Sequence, residues 1–373
     1  MSYENVSFRP VSVKKVFTEM KDTAELMIDL SYSAVFSDDG VLADEVLGLE
    51  EKMDRLQYRA RMSMMLSARN QKEAERLAPL MAIIGATEDI SNAAGDIAKI
   101  VKKGESVPPS VRRMVSDTFE PIISLEVDPS SDIHQEKYED VFHPAVHILA
   151  VRREGEWYIS PDFETVQEAD RILLKGPEEE LSDRIKDRDV FEDPEDLEEI
   201  EKVVDTVTSM KDFSELAVDL SYSSVFSGSV PIAEEVQELE KKIDSQFSDL
   251  IDWVLKAAES SGVRKGLKSL LQIAFSTEVI TDSALEISET VLRGLDIHPV
   301  FEEAMRESEE VVVRRLVENT CTVEDFLEEP IEPMAVRKVK MDDSEWFLMP
   351  ENSLRLVEGD VIILKGSPEH LDQ

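Results

Sequence analysis

An internal repeat is the feature that most constrains the fold of this chain of 373 residues. Residues 20–36 and 210–226 are identical at twelve of seventeen positions, with Met20 aligned to Met210, which is a lag of 190 residues. The same lag aligns residues 49–54 with 239–244 and residues 172–176 with 362–366. One segment is displaced, since Ala150-Val151-Arg152 matches Ala335-Val336-Arg337 at a lag of 185. Because chance does not keep one register over this distance, the sequence predicts two tandem copies of a unit of roughly 180 residues.

The first half of each copy, residues 11–104 and 200–294, has the periodicity of helices. Apolar residues recur three or four positions apart in the second helix of copy one, at Val46, Leu49, Met53, Leu56, Ala60 and Met64. The third helices carry matched stripes of isoleucine every seven residues, at Ile83, Ile90 and Ile97 and at Ile273, Ile280 and Ile287. Turn residues end the first helix at 37–40 and at 227–229. Three long helices with short links predict an antiparallel three-helix bundle in each copy.

The second half of each copy, residues 107–180 and 306–373, changes to the period of strands. Strands are predicted at 122–127, 146–152, 157–159, 171–174 and 311–313, with a hairpin turn at Gly155 and a short helix at 133–141. The acidic segment 178–197 is predicted to be an exposed linker. The expected fold class is therefore α plus α+β and multidomain, with each helical bundle followed by a small α+β domain.

Composition narrows the possible partners. The net charge of −40 argues against nucleic acid and anionic membrane surfaces, and it favours cations, basic partners or solubility in high salt. The single Cys321 excludes an internal disulfide framework, and a small buried filler is the preferred interpretation over a nucleophile. No apolar run is long enough to cross a membrane and no signal peptide is visible, so a soluble cytoplasmic protein is expected.

Acidic residues four positions apart form matched sets on the predicted helices. The candidate metal-ligating residues are Glu50, Asp54, Glu88, Asn92 and Asp96 in copy one, and Glu240, Asp244, Glu278, Asp282 and Glu286 in copy two. The first helices carry further pairs, Glu25 with Asp29 and Glu215 with Asp219. A multivalent cation would offset the repulsion within such sets, but an ordinary solvated helix face shows the same pattern. Both interpretations stay open, and copy two is the stronger metal candidate because Asp282 replaces Asn92.

Other chemistry-bearing residues favour structural roles. His143 and His147 straddle Pro144, where loop or partly buried histidines are favoured over a metal pair. Trp157 and Trp346 are favoured as core residues over ligand-stacking groups. The chain has no Glu-x-x-His pair, nucleophile motif or G-x-G-x-x-G loop, so an enzyme and nicotinamide binding are not expected.

The helical halves resemble the PhoU family, whose bundles carry repeated E(D)xxxD motifs. The residues that carry the resemblance are the acidic sets above, with Thr87-Glu88-Asp89-Ile90 similar to the signature L-E-R-I-G-D-H-A-x-N-I-A. The chain departs from it with Asn92 where an Asp is usual and Asp96 where an Asn is usual. The resemblance implies an iron or zinc site on the bundle surface.

The α+β halves resemble the TrkA-C (RCK C-terminal) regulatory domain. Copy one carries Ala150-Val151-Arg152-Arg153, Gly155-Glu156-Trp157, Pro161, Ala169-Asp170 and Gly176; copy two carries Ala335-Val336-Arg337-Lys338, Glu345-Trp346, Pro350, Gly359-Asp360 and Gly366. The family pattern has Gly where copy one has Ala169.

These resemblances together imply a regulatory subunit that is not an enzyme. It would be associated with potassium or other ion transport through a membrane transporter or channel subunit, and the paired α+β domains would sense a small anionic ligand such as a cyclic dinucleotide. Candidate ligand-binding residues are Arg152, Arg153 and Arg337, although pairing of these arginines with surface carboxylates is slightly favoured over binding of a phosphate. A homodimer is compatible with this interpretation. The alternative is a PhoU-like metal-binding adaptor in phosphate transport signalling.

Overall fold

The structure is a computed structural model. It describes residues 13–105, 107, 122–127, 137, 141–142, 146–159, 165–176, 181, 198–260, 264–295, 311–327, 331–339, 345–348 and 350–366. The short helix predicted at 133–141 and the linker predicted at 178–197 lie almost entirely outside these residues.

Each copy begins with three helices that all pack against one another, which confirms the predicted bundles. They are α1 (Val13–Ser37), α2 (Gly40–Ser67) and α3 (Gln71–Lys102), then α4 (Glu198–Ser227), α5 (Val230–Ser260) and α6 (Arg264–Leu292). Asp39 caps α2 by accepting hydrogen bonds from the N–H groups of Val41 and Leu42, at 2.7 and 3.2 Å. The isoleucine stripes of α3 and α6 are fully buried, so amphipathic periodicity explains which faces meet.

The two links between the first and second helices use the same backbone conformation. Asp38 has a φ of 54°, and Gly228, which occupies the aligned position, has a φ of 62°. A left-handed residue after a helix directs the chain back for an antiparallel neighbour. Local turn chemistry therefore accounts for the tight hairpin between these helices in both copies.

Each copy also contains an antiparallel four-stranded sheet. The first sheet has the order β1-β4-β2-β3, built from β1 (Ile122–Glu126), β2 (His147–Arg153), β3 (Glu156–Ile159) and β4 (Arg171–Lys175). The second has the order β5-β10-β7-β8, built from β5 (Val311–Leu316), β7 (Glu332–Lys338), β8 (Glu345–Leu348) and β10 (Val361–Gly366). A small ribbon of β6 (Cys321–Thr322) and β9 (Arg355–Leu356), with a helical turn α7 (Val323–Phe326), completes copy two.

Each sheet has one face on its bundle and one face on a separate small core. Ala150, Trp157 and Leu173 belong to the core that the bundles form, whereas Val151 and Ile172 belong to a second cluster on the far face. Trp157 is 7% exposed and Trp346 is 8% exposed, so both tryptophans are core residues as predicted. Alternating burial along the strands thus produces a two-layer arrangement of helices and sheet.

The two bundles pack directly on each other through α3 and α6. The Tyr32 hydroxyl lies 2.6 Å from Thr277 Oγ1, and the Tyr222 hydroxyl lies 2.8 Å from Thr87 Oγ1. Because Tyr222 aligns with Tyr32 and Thr277 with Thr87, the two hydrogen bonds are the same contact made twice in reciprocal directions. The duplicated copies are therefore related by approximate two-fold symmetry within one chain.

Cys321 is partly exposed rather than fully buried, so the sequence expectation of a buried filler is only half correct. Among the residues described, no helix is long and apolar enough to cross a membrane.

Candidate metal centre

A cluster of three carboxylates lies on the seam between α5 and α6. Glu240 and Asp244 are one turn apart on α5, and Asp282 comes from α6. One carboxylate oxygen from each lies within 4.8 Å of the others. The neighbouring Leu239, Ile243, Ile280 and Ala284 are buried, so the helices turn these acids outward at their line of contact.

The carboxylates on this seam repel one another. Burial raises the pKa of the Asp282 carboxyl, and the charge of Asp244 raises it further. The pKa of Glu240 is raised by burial and then by Asp244 and Asp282, and that of Glu278 by burial and then by Asp282 and Asp244. Of the residues described, no lysine or arginine forms an ion pair with any of these four carboxylates. Lys241 offsets part of the repulsion at Glu240, and a bound cation would relieve the repulsion that remains among the described carboxylates.

The aligned seam in copy one contains ion pairs with two of the protein's own cations, Arg61 and Lys99. Arg61 Nη2 lies 3.3 Å from Glu88 Oε2. Lys99 Nζ lies 3.2 Å from Glu50 Oε1 and 3.0 Å from Asp96 Oδ1. Three of the predicted metal-ligating acids of copy one thus have internal partners.

Three substitutions between the copies contribute to this difference, whereas Lys241, at the position aligned with Glu51, acts against it. Ile251 aligns with Arg61, Glu289 with Lys99, and Asp282 with Asn92. Each removes a positive charge from copy two, adds a negative charge, or does both. The sequence comparison identified the third substitution but missed the first two, because the pairing of Arg61 with Glu88 depends on how α2 and α3 are aligned in space.

The predicted ligand Glu286 lies apart from the cluster, on the side of α6 that faces α3. Burial raises its pKa, followed by the charges of Asp89 and Glu289. It lines a groove of about 600 Å³ between α3 and α6, together with Ala78, Pro79 and Leu295. Glu286 is thus exposed to solvent at the contact between the bundles.

Polar contacts connect α6 to the end of α3 at the symmetry-related position of this groove. There Lys268 Nζ lies 2.6 Å from Glu105, and the Ser269 hydroxyl donates to the Glu105 carbonyl at 2.8 Å. Lys268, Ser269 and Glu105 align with Ala78, Pro79 and Leu295, none of which has a polar side chain. These polar contacts distinguish the symmetry-related position from the groove that Ala78, Pro79 and Leu295 line.

The acidic pairs of the first helices do not join the metal candidates. Lys21 Nζ lies 2.6 Å from Glu25, and Lys211 Nζ lies 2.8 Å from Glu215. Charges of Asp219 and Asp22 act on Lys21, and the charge of Asp29 acts on Lys211, so each cluster combines residues of both copies. These acids belong to the contact between the bundles, a role that sequence reasoning missed although Lys21 stands four residues before Glu25.

The three predicted ligand-binding arginines contact carboxylates. Arg337 donates two hydrogen bonds of 2.6 Å to Glu235, which is 1% exposed. Arg152 lies 3.3 Å from the aligned Glu45, and Arg153 binds Asp170 through contacts of 2.8 and 2.7 Å. An anionic ligand at these arginines would have to displace a carboxylate that already satisfies them.

Two further basic residues complete these pairs. Arg314 donates to Glu235 at 2.8 Å, and Arg171 donates to Glu45. Each bundle therefore presents one buried glutamate to two arginines of its own sheet, which fixes the sheet on the bundle.

The PhoU domain family matches residues 17–101 and 207–291, which coincide with the two helical bundles. The chain is similar to a crystal structure of PhoU from Pseudomonas aeruginosa, with 12% identity, 76% of this chain and 96% of that chain covered, and a TM-score of 0.43. It is also similar to the phosphate transport system regulatory protein PhoU from Streptococcus pneumoniae, with 11% identity, 77% and 97% covered, and a TM-score of 0.40. No curated protein matches the chain. The chain contains two PhoU domains, one in each bundle.

Proposed function

We propose that this chain is a non-enzymatic regulatory adaptor of a membrane transport system, and that its second PhoU domain binds a multivalent cation. The observation that carries the proposal is the asymmetry between the seams. Glu240, Asp244 and Asp282 converge within 4.8 Å with no lysine or arginine ion pair among the described residues, whereas Arg61 and Lys99 form ion pairs on the aligned seam. One cation site per chain, in copy two, follows from this difference.

The donor set favours a hard cation. All three converging groups are carboxylates, and oxygen donors suit hard ions, whereas zinc sites usually include nitrogen or sulfur ligands. Of the two metals that the PhoU resemblance implies, an iron ion therefore fits these residues better than zinc. When bound, the ion would neutralise the seam and cross-link α5 to α6.

The seam lies close to residues that contact the other bundle and the second sheet, so cation binding there can affect both. Asp282 lies on α6 a little more than one turn after Thr277, which contacts Tyr32 of the other bundle. Glu235 lies on α5 a little more than one turn before Glu240 and holds Arg337 of the second sheet. A cation that draws α5 toward α6 would therefore act on both the other bundle and the sheet.

The identity of the transported ion is part of the same proposal. The PhoU domain matches support the form in which the adaptor acts on phosphate transport at the inner face of the membrane. Regulation of potassium or another ion depends on the resemblance of the sheets to TrkA-C domains alone.

Metal content after purification without chelators tests the cation site. We expect Asp244→Asn/Asp282→Asn to lose the bound metal, measured by mass spectrometry after desalting. The matched control Asp54→Asn, on the aligned seam of copy one, is expected to retain it. Equal metal in all three proteins would contradict the assignment.

Uptake assays test the adaptor role. In the native host, we expect deletion of this chain to change the rate of phosphate uptake, and Asp244→Asn/Asp282→Asn to fail to restore it. A change in potassium uptake with phosphate uptake unaltered would favour the other form. No change in either would overturn the regulatory proposal.

A further inference from the structure

Three large apolar side chains of copy two are exposed close to the acidic seam. Leu255 is 59% exposed and Phe275 is 58% exposed, and Ile251 is 39% exposed. Isolated exposed apolar residues are common on soluble proteins, but a contiguous group marks an interaction surface. Their positions on the helices decide which of these cases applies.

Helix geometry places them side by side. Ile251 follows Asp244 by seven residues on α5, and Phe275 precedes Asp282 by seven residues on α6. Seven residues are two turns, so each apolar residue lies on the same face as its acid and about 10 Å along the helix axis. Because α5 and α6 are antiparallel neighbours, both steps lead toward the same end of the seam. Ile251 and Phe275 therefore lie level with each other, with Leu255 one turn further.

Copy one does not repeat this surface. Ile251 aligns with Arg61, which pairs with Glu88, and Phe275 aligns with Gly85, which has no side chain. Of the three aligned positions only Met65 is apolar and exposed, at 69%. Among the described residues, this apolar group and the carboxylates without a lysine or arginine ion pair thus occur together in copy two.

We propose that the α5–α6 seam of copy two is the docking surface for an amphipathic, basic helix of a partner protein. Its apolar side chains would cover Ile251, Leu255 and Phe275. A lysine or arginine about two turns away would reach Glu240, Asp244 and Asp282, so that both halves of the seam are used. This proposal goes beyond cation binding and does not depend on it, since the surface is present without a metal.

Charge decides among the possible occupants. A second copy of this chain would bring another strongly acidic surface, because each chain carries a net charge of −40. Anionic membranes are repelled for the same reason. A basic helix is complementary to the four carboxylates of the seam, which have no lysine or arginine ion-pair partner among the described residues.

Peptide binding to metal-free protein in chelator tests the proposal separately from cation binding. The probe is a fluorescent amphipathic Leu/Lys peptide of about 18 residues, five helical turns, compared with a Lys/Ser peptide of equal charge. We expect Leu255→Ser/Phe275→Ser to weaken binding of the Leu/Lys peptide about tenfold or more, because two apolar contacts are lost. The control Met65→Ser, at the position aligned with Leu255, is expected to bind like wild type.

A second variant tests whether weaker binding could result from misfolding of the first. Ile251→Arg introduces the residue that copy one itself carries at the aligned position, and we expect it to pair with Glu278 and to weaken peptide binding as well. Equal affinity for both peptides, or equal affinity in all variants, would overturn the proposal. Flotation of wild-type protein with neutral phosphatidylcholine vesicles, lost in Leu255→Ser/Phe275→Ser, would also overturn it by assigning the surface to a membrane.

Discussion

One buried carboxylate, that of Glu235, holds two arginines of the second sheet on its bundle, and its removal has a calculable effect on their contact. Glu235 is 1% exposed and accepts three hydrogen bonds of 2.6 to 2.8 Å from Arg314 and Arg337. The Arg314 and Arg337 side chains are 18% and 13% exposed. Glu235→Gln keeps the shape but leaves two largely buried guanidinium groups without a counter-charge.

The expected loss can be bounded. Removing one partner of a buried ion pair costs about 3–5 kcal/mol, and the retained amide oxygen of glutamine reduces this to roughly 2–3 kcal/mol. The aligned Glu45→Gln is the matched comparison. Glu45 contacts Arg152, which is 42% exposed, and Arg171, which is 29% exposed. Since solvent screens these partners, we expect a loss of only about 1 kcal/mol.

Hydrogen–deuterium exchange of peptides from β5 and β7 measures this loss of stability within the second sheet. In Glu235→Gln, we expect their exchange to accelerate roughly 30- to 150-fold, since each 1.4 kcal/mol is a factor of ten. Peptides of β2 and β4 in Glu45→Gln should accelerate about fivefold. An equal or larger effect in Glu45→Gln, or no effect in either variant, would refute the argument that buried charge pairs hold the sheets in place.

Three further predictions concern stability. Burial raises the pKa of Glu215 and Asp219 to about 7, so these groups favour the folded state fully below about pH 4 and progressively less as pH rises through 7. Glu215→Gln/Asp219→Asn should therefore flatten the decline in the free energy of unfolding between pH 5 and pH 8, which is roughly 1–2 kcal/mol per group after allowance for partial exposure. An unchanged decline in urea titrations over this pH range would exclude these groups as its source. Ala169 has a φ of 62°, a left-handed conformation that strains a residue with a Cβ atom, and glycine occupies the aligned position 359. Ala169→Gly should therefore raise the free energy of unfolding, measured in urea titrations, by about 0.5–1 kcal/mol. A decrease would show that Ala169 is not strained. Tyr32→Phe should lower the free energy of unfolding by about 1 kcal/mol, because the buried Thr277 hydroxyl loses a partner, and a neutral result would show that the reciprocal tyrosine contacts do not stabilise the bundle interface.

The elements were predictable because each follows from local pattern. The duplicated isoleucine stripes predicted α3 and α6, and Gly155 predicted the β2–β3 hairpin, where it has a φ of 84°. These features depend on residues close in sequence, so periodicity and turn chemistry suffice to find them.

The asymmetry of the site was harder to predict because it depends on contacts between helices. The acids of the seam were visible at a spacing of four, but the roles of Arg61 and Lys99 depend on the register of α2 against α3. Likewise, Glu25 has the same spacing to Asp29 as the metal candidates have to each other. Only the packing of Glu25 against the second copy distinguishes it from the metal candidates. Comparison of the two copies position by position is the signal in the sequence that would have found Ile251 and Glu289.

The central claim is that the same fold binds a cation in copy two and replaces it with its own side chains in copy one. The triple variant Arg61→Ile/Asn92→Asp/Lys99→Glu gives copy one the residues of copy two at three of the seam positions where the copies differ. Metal bound per chain, measured by mass spectrometry after anaerobic loading with iron(II) and desalting, is predicted to double relative to wild type. An unchanged metal content in a correctly folded triple variant would contradict the claim.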